Sequence, residues 1–320
     1  VLGSKEAPVT SSVTINDGTF GSGANGHYAK IVAGSVVAND GGTATVHGNT
    51  TLAMAGGTAH DDLIGGGMVE NAATLPEEST SEYNLNITGD SSVKVTGDGK
   101  ALGEVIGGNY VKTSNAGWKN SAKVANSSVT ITGGTFAGVD DSTDKAQYII
   151  GGSKTNASGG GNATTLVEGN SSVRIDGDGD IKDGALIGGS QAKAGNGVES
   201  KATATVKGNS SVTVNNGSLA GVIGGGIAET YYGDGDYSHI AISEVKGTSS
   251  VTINGGKVTG NSIETGAVAS NTGKLSAAVV GGGLANTTGS TATVGSTRVT
   301  IATGTINGKV VAGGAAINGG

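Results

Sequence analysis

The sequence predicts an all-β chain folded as a right-handed parallel β-helix, a β-solenoid of about eight repeats of about forty residues. Three observations predict it. One short phrase recurs eight times, every phrase alternates apolar and polar residues with period two, and glycine supplies 62 of the 320 residues against one Trp, seven Tyr and two Phe. So much glycine and so few rings exclude a large core filled by aromatic side chains. The β-branched alternation, with a mean hydropathy of -0.05, excludes a disordered glycine-rich polymer.

The recurring phrase is SSVTI and its variants, with strands starting near Ser11, Thr50, Ser91, Ser127, Ser171, Ser210, Ser249 and Thr297. Spacing between copies varies from 36 residues (Val93 to Val129) to 48 (Val251 to Val299), so loops of unequal length join fixed elements. A leading phrase such as TATVHG or ATATVKG precedes seven of the eight copies. A glycine phrase follows each, as in LIGGG at Leu63–Gly67 or VIGGG at Val222–Gly226.

In the leading strand Ala204 and Val206 face one way and Thr205 the other, and Val212 and Val214 alternate with Thr213 in the same manner. Gly-Asn breaks (Gly48-Asn49, Gly169-Asn170, Gly208-Asn209) separate these two strands. Asn is expected there because it tolerates left-handed backbone and stacks as an amide ladder. Gly-Gly or Asn-Gly then makes a second corner with one apolar plug, such as Phe136 or Leu219. The glycines after the last strand predict a crowded vertex where backbones approach closely. No window sustains a helix, and neither a six- nor a nine-residue period is present, which favours the right-handed parallel β-helix with one coil per repeat. The stretches Thr74 to Glu82, Thr113 to Asn120 and Thr230 to Tyr237 read as loops, and residues 1–320 as a single solenoid domain.

Composition removes several function classes. The formal charge is -7 and the basic residues are scattered, which disfavours nucleic acid as a partner. No apolar run is long enough for a membrane span, and residues 1–10 do not read as a signal peptide. The absence of Cys excludes disulfides and thiolate chemistry. Histidines 27, 47, 60 and 239 are too dispersed for a metal cluster, so no cofactor is expected.

Glycine-rich repeats that read like SSVTINGGTF followed by VIGGG resemble those of bacterial autotransporter passengers and related cell-surface adhesins. The resemblance runs from Ser11 to Gly314 and rests on a structural motif. It implies secretion to the bacterial surface and a stalk for adhesion or self-association, its partner being a second copy or a host surface protein or glycan. Neither the signal peptide nor the membrane barrel of a complete autotransporter is seen, and the end at Gly319-Gly320 suggests a fragment of a longer array.

Three groups of residues stand out as candidate sites. The outward Ser/Thr positions of the SSVTI strands, Thr130, Thr213 and Thr252 among them, would form a hydroxyl strip able to pair with another molecule, although Ser and Thr also simply solvate a β-surface. Ala53, Lys94 and Arg174 interrupt it, which disfavours an ice-binding array. Tyr231, Tyr232 and Tyr237 on one connection suit stacking on a sugar or anchoring a protein, or cover an apolar flank. Carboxylates at Asp61, Asp62, Glu104, Asp140, Asp141, Asp144, Asp178 and Asp180 would form an acidic groove. That groove carries the alternative reading, a polysaccharide hydrolase or lyase, against a plain role in turns and solubility. Asp176-Gly-Asp178-Gly-Asp180 imitates the start of a calcium loop, but Ile181 and Ile187 break the pattern.

Overall fold

Period-two alternation buries Val129 and Ile131 from one copy of the phrase directly above Val173 and Ile175 from the next, because the strands pair parallel and in register. The same pairing joins all eight copies. Val13, Leu52, Val93, Val129, Val173, Val212, Val251 and Val299 form one column, so one repeat makes one coil of a parallel β-solenoid. The computed structural model describes residues 2–21, 29–38, 42–70, 82–136, 148–196, 199–231, 239–260, 263–264, 274–275 and 277–317. It contains no helix among these residues, so none is long and apolar enough to cross a membrane.

A coil has five strand positions rather than three, separate in the second to fourth coils and partly fused into longer strands in the fifth to eighth. In the second coil they are a leading strand (Gly42–Val46), the central strand of the phrase (Thr50–Met54), a corner strand (Thr58–Ala59), a glycine strand (Leu63–Ile64) and a return strand (Met68–Glu70). Leading and central strands of successive coils build a 13-stranded sheet, corner and glycine strands a 14-stranded sheet, and return strands an 8-stranded sheet. The return strands correct the loop reading. Thr113 ends the strand Tyr110–Thr113, Lys119 and Asn120 open Lys119–Val124, and Thr230 and Tyr231 close Ile227–Tyr231. Their inward residues include Thr155, Ala192 and Ala228, too small and mixed to read as a β pattern.

The buried apolar residues form three clusters, two of which fill the body of the coils. One lies between the central strand and the corner and glycine strands, with Leu52, Leu63, Val105, Phe136 and Ile149 fully buried. The other lies between the leading and return strands around Val69, Leu85, Val111 and the stacked pair Tyr83 and Trp118, whose ring centroids are 5.3 Å apart. Tyr83 and Trp118 are therefore core residues, not surface anchors. Burying a Val or Leu completely contributes about 1.5–3 kcal/mol, so the paired columns carry the stability of the stack.

The glycine strand separates the two cores by pinching the coil. A Cβ on Gly151 would stand 2.7 Å from the carbonyl carbon and oxygen of Ser172 and 2.8 Å from Gly188 O, all backbone atoms. Across the pinch the first hydroxyl of the phrase donates to the glycine backbone: Ser91 to Gly107 O, Ser171 to Gly188 O and Ser249 to Gly281 O, each 2.6 Å, and Ser210 to Gly224 O at 2.7 Å. The Ser-Ser opening of the phrase is thus half lock and half surface.

At the corner before the central strand the expectation for Asn is half right. Positive φ falls on Gly48, while among the described residues only Asn196 and Thr287 adopt it without being glycine. The Asn side chains instead bridge coils: Asn126 Oδ1 accepts from the Asn170 N–H at 2.7 Å, Asn170 from Asn209 at 2.8 Å, and Asn209 from Thr248 at 2.8 Å.

Candidate functional site

Parallel register turns each outward position of the large sheet into a row running along the solenoid axis. The central strands contribute Ser12, Thr51, Ser92, Ser128, Ser172, Ser211 and Ser250 in one row. The second row holds Thr14, Ala53, Lys94, Thr130, Arg174, Thr213 and Thr252. Thr130, Thr213 and Thr252 are half-buried, as side chains on a flat sheet are, and they do lie in one row. Arg174 turns aside to Asp176, to which its Nε donates at 2.6 Å.

The leading strands extend this face, which the phrase alone did not reveal. Thr43, Asn84, Ser121, Thr164 and Thr203 stack in register beside Thr45, Asn86, Lys123, Leu166 and Thr205. Two depressions of about 460 and 450 Å³ lie on these rows, the first lined by Asn84, Lys119, Ser121, Thr164 and Lys201, the second by Thr45, Asn86 and Lys123. The face offers hydroxyl and amide groups at the strand repeat, about 4.8 Å apart, with lysines between them. It can make many weak, periodic hydrogen bonds.

The carboxylates divide between two places. Asp61, Asp62 and Glu104 lie at the glycine-strand corner, beside an apolar crease formed by Ile64, Ile106, Tyr110, Ile150 and Ile187. There they meet cations that the sequence did not associate with them. Lys30 Nζ lies 2.9 Å from Asp61 Oδ1 and 2.9 Å from Asp62 Oδ2, and Lys154 bonds Glu104. Both ammonium groups stand 5.6 Å from the centroid of the Tyr110 ring. Burial opposes the charge on Lys154, but Glu104 and then Asp62 outweigh it and raise its pKa. Lys30 is raised in the same manner, burial being overcome chiefly by Asp62. Burial raises the Tyr110 hydroxyl well above its ordinary value against the pull of Lys30. The arrangement is a ladder of ion pairs in which three carboxylates face two ammonium groups.

Asp178 lies at the other corner, where it accepts from Asn216 Nδ2 at 2.5 Å, next to Asp176, which accepts from Asn215 Nδ2 at 2.6 Å. Both carboxylates are thus engaged by amide donors of the next coil. Among the described residues no group of three or more His, Asp or Glu is assembled to hold a metal ion. Asp140, Asp141, Asp144, Tyr232, Tyr237 and the side chains of Asp180 and Tyr231 lie outside the described residues.

His239 is a buried titratable group that the sequence reading passed over. It is 4% exposed, and neither ring nitrogen has a hydrogen-bond partner among the described residues. Burial lowers its pKa below the ordinary 6.5, against a weaker opposing effect of Glu199. The unfolded chain therefore binds the extra proton more readily, so stability is full above about pH 6.5 and falls as pH drops toward the lowered value. Denaturant midpoints measured at pH 7.5 and 5.5 are expected to drop for the parent and to change less for His239→Gln.

No protein-family model, curated protein or solved structure matches the chain.

Proposed function

We propose that this chain is a secreted structural protein of the bacterial surface, a passenger-like stalk whose flat Ser/Thr/Asn face mediates adhesion or self-association. One observation supports the reading above the others. The outward rows of the leading and central strands remain in register and mostly polar through successive coils, interrupted at Ala53, Leu166 and Ile242, although only the inward rows are needed to form the solenoid. A second copy laid against such a face meets the same spacing everywhere, so weak hydrogen bonds add along its length. The resemblance of the SSVTINGGTF-like repeats to autotransporter passengers supports the surface location.

The test is light scattering over a wide concentration range for the parent and for Thr130→Arg with Thr213→Arg. The parent is expected to associate as concentration rises. The double variant places two bulky cations in the row and is expected to lose association through this face with an unchanged unfolding midpoint. A parent that stays strictly monomeric at high concentration contradicts self-association and leaves adhesion to be tested on host glycans and proteins.

A further inference from the structure

The leading strands present three outward rows whose side chains differ in length. Asn84, Ser121, Thr164 and Thr203 form the middle row. Glu82, Lys119, Asn162 and Lys201 stand on one side of it, and Asn86, Lys123, Leu166 and Thr205 on the other. Short side chains between longer ones make a trough. The two depressions of about 460 and 450 Å³ are its two parts, since Asn84, Ser121 and Thr164 line both. The flanking rows are four residues apart, about 13 Å, and the trough runs along the axis from Thr43 to Thr203, about 19 Å.

Charge sets this sheet apart from the rest of the molecule. The chain carries a formal charge of -7, yet from the second to the seventh coil these rows and those of the central strands hold Lys94, Lys119, Lys123, Arg174 and Lys201 against Glu82 and Glu244. Arg174 is taken up by Asp176. Lys119 stands 3.7 Å from Glu82, but both side chains are about two-thirds exposed, so the pair is weak. Lys123 and Lys201 are exposed, and neither has a carboxylate within 4.0 Å among the described residues. Between these walls the floor is made of hydrogen-bonding groups. Ser121 Oγ donates to Asn84 Oδ1 at 2.5 Å, which leaves Asn84 Nδ2 as the donor of that amide, and Thr164 and Thr203 add hydroxyls that donate and accept.

We infer that the trough binds one strand of an acidic polysaccharide, with its carboxylate or sulfate groups against Lys119, Lys123 and Lys201 and its hydroxyls on the middle row. The inference rests on the reading of this face as adhesive and names what it adheres to. A second copy laid in the trough would set lysine against lysine. A nucleic acid would find cations but no ring to stack on, because none of the three rows carries an aromatic side chain. Each contact is weak and exposed, so binding accumulates over successive sugar units and weakens as salt is added.

Isothermal titration tests this with oligogalacturonate, heparin oligosaccharide, neutral dextran and a single-stranded oligonucleotide as probes. The parent is expected to bind oligogalacturonate or heparin, which separate carboxylate from sulfate as the recognised group, roughly tenfold or more tightly than the other two probes. Lys119→Gln, Lys123→Gln and Lys201→Gln together are expected to keep the unfolding midpoint and to weaken binding roughly tenfold or more. Thr164→Val with Thr203→Val keeps every charge and is expected to weaken binding roughly threefold to tenfold. Lys94→Gln removes a cation from the same sheet outside the trough, and its effect is expected to stay within roughly twofold. Binding of neither acidic probe, equal binding of the oligonucleotide, or a loss on Lys94→Gln as large as in the triple variant would overturn the inference. A parent that self-associates but binds neither acidic probe contradicts this inference alone, and one that binds but stays monomeric contradicts self-association alone.

Discussion

Gly151→Ala is expected to destabilise the chain by about 3 kcal/mol or more, although it adds a single methyl group. The three atoms nearest the added carbon are backbone, at 2.7 and 2.8 Å, so no side chain can rotate away and the coil must open at its pinch. Opening would separate Ser171 Oγ from Gly188 O and disturb both cores together. Gly313→Ala is the control. It stands in the last coil with nothing within 4 Å, and its expected change is within about 0.5 kcal/mol. Chemical denaturation of the two variants beside the parent reads the difference, and equal midpoints would show that the pinch is not closely packed.

The second large effect is expected at Lys154. Truncation to Ala removes the hydrogen-bonded partner of Glu104 and leaves that carboxylate beside Asp62 in a poorly solvated crease, at an expected cost of about 3 kcal/mol near neutral pH. With its main counterion gone, Glu104 holds a proton more tightly when folded than when unfolded. The deficit is therefore expected to shrink as pH falls below the raised pKa of Glu104. Glu104→Gln combined with Lys154→Met should recover most of the loss, because neither buried charge remains. A deficit that is independent of pH and persists in the double variant would point to lost packing instead.

The parts of this fold that were legible in the sequence are those where one residue type does one job on every coil. Val and Ile at alternate positions of the phrase mark the column from Val13 to Val299, and the glycine runs mark the pinch. The return strands were not legible, because Tyr110, Lys154, Gln191 and Ile227 occupy a single row and share no hydropathy. Pairing hid the character of the charged crease. Its carboxylates stand out along the chain, but Lys30 lies 31 residues from Asp61, and Lys154 lies 50 from Glu104. Such partners meet only once coils are stacked. Trp118 and Tyr83 are not legible as core residues for a related reason: they flank segments that look like loops, and the second core that buries them exists only because the glycine strand divides the coil.

One coil per repeat is the statement on which the rows, the pinch and the polar face all depend. Spin labels on Thr51→Cys and Ser250→Cys, outward in one row and five coils apart, measure it by pulsed electron resonance. A single narrow distribution centred at about 24 Å is expected from five strand spacings of about 4.8 Å. A peak near 48 Å, as two coils per repeat would give, or a broad featureless distribution would contradict it.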